Sequence, residues 1–156
     1  MQCIEAARLA PSAHNSQPWH FIVVDDPGIR KQVAEATFDT AFRFNRFTLQ
    51  APVLIVMVTE RKSIVTQLAA KLKKLDFSLI DNGIAAENFC LQAAELGLGT
   101  CMIGWFSQRK IRKILKIPAA KLISLVISLG YPHEKSRLRE KIRRPVETMF
   151  SRNSYL

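Results

Sequence analysis

The stretch Ala51-Pro52-Val53-Leu54-Ile55-Val56-Met57-Val58-Thr59 constrains the fold of this chain more than any other. Its centre, Val53 to Val58, has the length of one strand and falls far short of the roughly 18 apolar residues that a membrane-spanning helix requires. A strand with one wet face alternates apolar and polar side chains. A continuous apolar run is instead the pattern of a strand covered on both faces. Ala51 to Thr59 is therefore expected to be a central strand, with helices packed over the sheet that contains it.

The flanking sequence supplies those elements. Cys3 to Ala10 has helical character and is stopped by Pro11, although no Ser, Thr, Asp or Asn precedes it as a cap. Asp26 caps a second helix, with Pro27 at its first position and Gly28 to Phe38 as its body. Arg61 to Leu75 reads as a basic amphipathic helix or lid. Phe77 to Leu96 reads as a long apolar helix closed by Gly97. Gly83 inside it costs about 1 kcal/mol relative to Ala, and points to close approach of another backbone or a flat ligand. Ser107 caps a further helix, Gln108 to Leu115. Strands are expected over His20 to Val24 and Leu122 to Leu129, with Thr100 to Phe106 a short strand or loop. The 156 residues show no internal repeat or linker. One domain over residues 1–156 is expected, with an α+β fold in which helices flank a small mixed sheet.

Lys and Arg number 23 against 13 Asp and Glu, a net charge of +10. That excess favours anionic partners such as phosphates, nucleic acid or acidic membrane surfaces. It is concentrated in Arg61 to Lys74, Arg109 to Lys116 and Lys135 to Arg144, the first two of which read as solvated helix faces. Cys3, Cys90 and Cys101 are widely spaced and read as buried, reduced thiols. The opening Met1-Gln2-Cys3-Ile4-Glu5 lacks the charged-then-apolar pattern of a signal peptide, so a cytoplasmic location is expected.

Several kinds of chemistry have no carrier here. The sequence contains no Gly-x-x-x-x-Gly-Lys-[Ser/Thr] phosphate loop, no Gly-x-Gly-x-x-Gly turn and no Gly-x-Ser-x-Gly nucleophile elbow. His14, His20 and His133 do not have metal-ligand spacing, no Cys/His cluster resembles a zinc site, and no carboxylate pair stands out for acid–base work. No metal is expected. An enzyme with this inventory would draw its reactivity from a cofactor.

Two stretches suit one. In Ala10-Pro11-Ser12-Ala13-His14-Asn15-Ser16-Gln17-Pro18-Trp19-His20-Phe21, the short polar side chains Ser12, Asn15 and Gln17 sit between two rigid prolines. They offer donors and acceptors at fixed angles to the edge of a flat heterocycle, with little entropy to lose. The same stretch also reads as a capped turn with Trp19 in the core. In Lys141-Ile142-Arg143-Arg144-Pro145, an extended backbone sends Lys141 and Arg143 to one face, where two cations would grip a phosphate. That stretch also reads as a solvated basic tail.

Pro11 to Trp19 resembles the flavin-binding signature of the nitroreductase family. Asp81-Asn82-Gly83-Ile84-Ala85-Ala86-Glu87-Asn88 resembles that family's central helix, and Gly97 to Phe106 the strand and loop behind its flavin. Gly130-Tyr131-Pro132 and the Lys-x-Arg-x-Pro ending fit as well, in the same order along nearly the whole chain. The resemblance implies an FMN-containing, homodimeric α+β oxidoreductase with its flavins at the subunit interface. It implies that Ser12, Ala13, Asn15 and Gln17 line the flavin or its ribityl chain. Met102, Ile103 and Gly104 would lie along the isoalloxazine, the Gly104 N–H near N5, with Asn45 a further contact. Lys141 and Arg143 would hold the phosphate. NADH or NADPH would deliver hydride to N5, and a nitroaromatic, quinone or similar acceptor would collect it at the same site in a ping-pong scheme. The segment Arg61 to Leu79 would shape the acceptor site, and its basic character favours the extra phosphate of NADPH.

The family places an Arg-rich segment of the type Arg-Arg-Ser-x-Arg before the helix that ends at Pro11, and this sequence starts inside that helix. Each charged hydrogen bond to the phosphate that is lost costs about 1.5–3 kcal/mol, so a weaker grip on FMN is expected unless Arg8 or another basic residue compensates. Two other readings follow from the same residues: a flavin-binding remnant with impaired catalysis, and a basic nucleic-acid-binding module. The latter rests on charge alone and has no recognised motif.

Overall fold

In the computed structural model, which describes residues 1–60, 76–136 and 140–155, four strands form one sheet. They are β1 (Trp19–Val24), β2 (Val53–Thr59), β3 (Gly99–Ile103) and β4 (Leu122–Gly130), in the spatial order β1-β2-β4-β3. Among the described residues, four α-helices accompany them: α1 (Gln2–Arg8), α2 (Pro27–Glu35), α3 (Phe77–Glu95) and α4 (Gln108–Leu115). The segment read as a basic helix, 61–75, and most of the proposed lid lie outside the described residues.

β2 is buried on both faces, and its two-residue period sorts its side chains between two cores. Leu54, Val56 and Val58 meet Val33 and Ala34 of α2 and Ile111 of α4. Ile55 and Met57 point the other way, into a cluster with Cys3 and Ala7 of α1 and Ala85, Ala86, Phe89 and Ala93 of α3. The sheet is thus the middle layer, with α2 and α4 on one side and α1 and α3 on the other.

The expected α+β architecture is present, but the sheet is not mixed. Each of its three strand pairs is antiparallel. Burial on both faces, usual for parallel strands, arises here because helices cover both sides of an antiparallel sheet, and the composition of β2 is the same in either case.

A bulge between Met57 and Val58 leaves Ser124 of β4 without a strand partner. Its hydroxyl donates to the Met57 carbonyl at 3.3 Å and accepts from Asn82 Nδ2 at 3.1 Å. Asn82 also donates to Thr59 Oγ1 at 2.8 Å, so this buried amide rivets α3 to the sheet. Gly83, beside it, faces outward, and among the described residues nothing beyond its own stretch of helix lies within 4 Å of where a side chain would project. The close approach expected there is not made among the described residues. From Tyr131 onward, the described residues leave the body and are exposed, with one 3₁₀ turn at Val146–Thr148.

Candidate functional site

The loop from Pro11 to Pro18 is held at both ends. At its close, the Glu60 N–H donates to the Pro18 carbonyl at 2.8 Å, continuing the pairing of Trp19 with Thr59. Near its start, a 3₁₀ turn at Ala13–Asn15 sits under α3, where the buried Asp81 carboxylate accepts from the Ala13 N–H at 3.1 Å. Three loop residues adopt left-handed backbone: His14 (φ 53°), Asn15 (φ 51°) and Gln17 (φ 43°). Side chains other than glycine carry a penalty there, and the loop's own bonds hold them in place. Ser12 Oγ accepts from the Gln17 N–H at 3.0 Å. Gln17 Nε2 donates to Asn15 Oδ1 at 2.9 Å and to the Asn15 carbonyl at 3.2 Å. Asn15 Nδ2 and Gln17 Oε1 have no partner among the described residues. One amide NH₂ and one amide oxygen are therefore presented to solvent on a constrained backbone.

The second piece lies where β3 ends. Met102 is exposed, while Ile103 is 3% exposed and packs into the core with Val24, Val33 and Val126. The Ile103 side chain cannot line a ligand from there, so only its backbone is available to one. Gly104 is exposed, with open space where a Cβ would stand. Trp105 follows it and packs against Phe42, ring centroids 4.7 Å apart. Phe42 in turn meets Phe44 edge-on at 6.2 Å. All three rings are substantially exposed, which the sequence reading did not single out. Asn45, expected as a flavin contact, is buried and donates to the carbonyls of Thr37 and Trp105, each at 3.0 Å. Both of its N–H donors are thereby used.

The third piece is the tail. Lys141 and Arg143 are exposed, and neither is in an ion pair among the described residues. Among the described residues, Arg143 donates only to the Ile142 carbonyl, at 2.9 Å.

Among the described residues, the three pieces do not share one cavity. The loop leads into β1 and Gly104 follows β3, the two edges of the sheet. Those edges are three strand spacings, about 14 Å, apart. An open cavity of 480 Å³ lies elsewhere, lined by Glu35, Phe38, Asp39, Thr40, Arg43, Arg46 and Leu49, and includes none of the predicted site residues.

The chemistry of the three pieces suits a flavin mononucleotide. Free amide groups on a stiff loop match a heterocycle edge, a glycine with clear space admits a flat ring, and two unpaired cations match a phosphate.

Cys3 is buried as expected, but Cys90 is half-buried and Cys101 lies exposed on the edge strand β3. Burial still holds the thiols of Cys90 and Cys101 above the ordinary thiol range. The β3 edge position, which its local sequence does not reveal, accounts for the exposure of Cys101.

A sequence profile of the nitroreductase family matches residues 1–131. An Archaeoglobus fulgidus protein, provisionally named NADH dehydrogenase/NAD(P)H nitroreductase, is 35% identical over 138 residues, covering 85% of this chain and 71% of that one. The oxygen-insensitive NADPH nitroreductase of Helicobacter pylori is 27% identical, over 81% of this chain and 72% of that one. Among solved structures, the FMN-dependent nitroreductase of Clostridium difficile R20291 superposes with a TM-score of 0.73 at 28% identity, over 98% of this chain and 85% of that one.

Proposed function

Because this chain belongs to the nitroreductase family, we propose that it is an FMN-dependent NAD(P)H oxidoreductase whose acceptor is a nitroaromatic, a quinone or a similar compound. The observation that carries this reading is the loop 11–18. Its left-handed residues and its Asp81 anchor hold the Asn15 and Gln17 amides outward, ready for a planar ring. FMN, when bound, supplies the hydride chemistry, so no protein nucleophile or metal is needed.

The residues divide the remaining work. Ser12 fixes the loop through its bond to the Gln17 N–H, and Ala13 ties it to α3. Asn15 and Gln17 bind the ring or the ribityl chain. Met102 and the backbone of Ile103 and Gly104 would lie along the ring, with the Gly104 N–H placed to donate to N5 and make it a better hydride acceptor. Lys141 and Arg143 hold the phosphate. Nicotinamide and acceptor use the same open face in turn, a ping-pong scheme.

The active unit in this reading is a homodimer of single-domain protomers, residues 1–156, with each flavin between two subunits. Two features support it. The loop and Gly104 lie at opposite sheet edges of one chain. The tail carries Ile142, Val146, Met149 and Phe150 into solvent, apolar surface that a second copy would cover. The three free thiols fit a reducing compartment, the cytoplasm.

An FMN titration followed by visible absorbance and flavin fluorescence tests the reading, joined to NADPH oxidation with a quinone. Saturable FMN binding and parallel double-reciprocal lines are expected. Protein that takes up no FMN overturns the proposal. FMN binding without NADH or NADPH oxidation leaves the remnant reading in its place.

A further inference from the structure

The hydrogen bonds around Asn45 bear on the site without touching it. The Asn45 amide bridges Thr37, just past α2, and Trp105, just past β3, through the two carbonyls at 3.0 Å. The bridge is itself held. Thr48 Oγ1 donates to the Asn45 carbonyl at 2.9 Å, and the Thr37 and Thr48 hydroxyls lie 3.0 Å apart. A second tie, from the Ser107 N–H to the Ala36 carbonyl at 2.8 Å, runs parallel to it. Between these fixed points stands Gly104, with no side chain and, among the described residues other than its chain neighbours, nothing within 4 Å of where one would project. On its N-terminal side, Ile103 is locked in the ladder opposite Val126. On its C-terminal side, the Trp105 carbonyl is set by Asn45. A glycine in open space is otherwise free to turn its peptide groups.

We propose that Asn45 is a positioning residue which, through the Trp105 carbonyl, sets the direction of the Gly104 peptide and thereby the balance between reduced and oxidised flavin. The inference rests on the flavin reading above. A fixed N–H aimed at N5 favours the oxidised ring, whose N5 can accept it, over the reduced ring, whose N5 carries a hydrogen, and a dipole free to turn favours it less.

The test is the midpoint potential of bound FMN, measured by spectroelectrochemical titration on wild type, N45A and T48V. T48V loosens the same cluster and leaves both Asn45 amide bonds in place. N45A should raise the preference for reduced over oxidised FMN about tenfold, equivalent to about 30 mV for a two-electron couple. T48V should lower the melting temperature and leave the potential unchanged. An N45A potential equal to wild type, or equal shifts in both variants, overturns the proposal. If N45A does not fold, nitrogen-15 spectra of wild type decide. The Asn45 side-chain amide and the Trp105 and Gly104 backbone amides should shift together as FMN is added, and a Gly104 shift with the other two unmoved overturns it. Wild type that binds no FMN removes the flavin reading itself, a different result from any of these.

Discussion

The Asp81 carboxylate accepts the Ala13 backbone N–H at 3.1 Å across 68 positions of sequence. It lies buried near the start of α3, and Ser16 Oγ approaches its second oxygen at 3.5 Å. One carboxylate thus fixes a loop whose backbone would otherwise relax from its left-handed geometry.

Replacing that carboxylate should cost both stability and cofactor. D81A leaves the Ala13 N–H without its acceptor, a loss of about 1–3 kcal/mol. Denaturant unfolding should show that drop, and FMN fluorescence titration a dissociation constant raised at least tenfold. D81N keeps an oxygen at the same place and should fall between wild type and D81A on both measures. An FMN affinity untouched by D81A would separate the loop from the flavin.

Gln17 separates side-chain from backbone contributions. Its amide bonds are exposed and its φ is 43°. Q17G relieves a left-handed penalty of about 1–2 kcal/mol and gives back roughly 0.5–1 kcal/mol as chain entropy. Its unfolding free energy should therefore equal or exceed that of wild type. Q17A keeps the penalty and loses the amide. Both variants should bind FMN about 3- to 10-fold more weakly, the value of one neutral hydrogen bond. If only Q17G weakens FMN, backbone stiffness rather than the amide carries the binding.

Gly130 closes β4 against Pro52. A Cβ there would stand 2.6 Å from Pro52 Cδ and 2.9 Å from Cγ, and a proline ring cannot swing aside. G130A should destabilise the protein by about 1–3 kcal/mol, measured by denaturant unfolding. G99A is the control, because its Cβ would meet only the Gly130 carbonyl at an ordinary 3.6 Å.

What could be read from the sequence follows the range of the physics involved. Two-sided burial of β2 is written in its own residues, and so are the Asp26 and Ser107 caps, whose carboxylate and hydroxyl accept from Ile29 and Lys110 as expected. Strand direction is not, because Leu54 and Ile55 would be equally buried in a parallel sheet. The loop was legible as a motif, but its left-handed residues are neither glycines nor all asparagines. The carboxylate that holds them comes from a helix far along the chain. The Asn45 bridge is hidden in the sequence for a related reason: an amide that clamps two carbonyls and one that contacts a ligand look the same until the fold places Thr37 and Trp105 around it.

The thiols of Cys90 and Cys101 are both raised by burial. A raised thiol is neutral in the folded protein over a range where the unfolded chain already ionises it. Stability from this source is complete below about pH 8.5, where unfolded thiols begin to titrate, and is lost as pH rises toward the folded values. Alkylation at pH 7.5 should accordingly be slower at Cys101 than at a free thiol of ordinary pKa, despite its exposure, and should accelerate above pH 9. Mass spectrometry of iodoacetamide adducts over time checks this. Rapid labelling of Cys101 at neutral pH would contradict it.

Lys141 and Arg143 can be tested without disturbing the fold, since both are exposed and neither pairs with a carboxylate among the described residues. If they grip the phosphate, K141A and R143A each remove a charge-assisted hydrogen bond of about 1.5–3 kcal/mol, and FMN should bind roughly 10- to 100-fold more weakly. Riboflavin, which has the ring and ribityl chain but no phosphate, should bind wild type and both variants equally. The FMN affinity of wild type should fall with added salt, and that slope should flatten in the variants. Equal losses for FMN and riboflavin would mean that the tail supports the ring site by packing. An unchanged FMN affinity in both variants would make Lys-x-Arg-x-Pro a solvated tail, the reading that its charge alone supports.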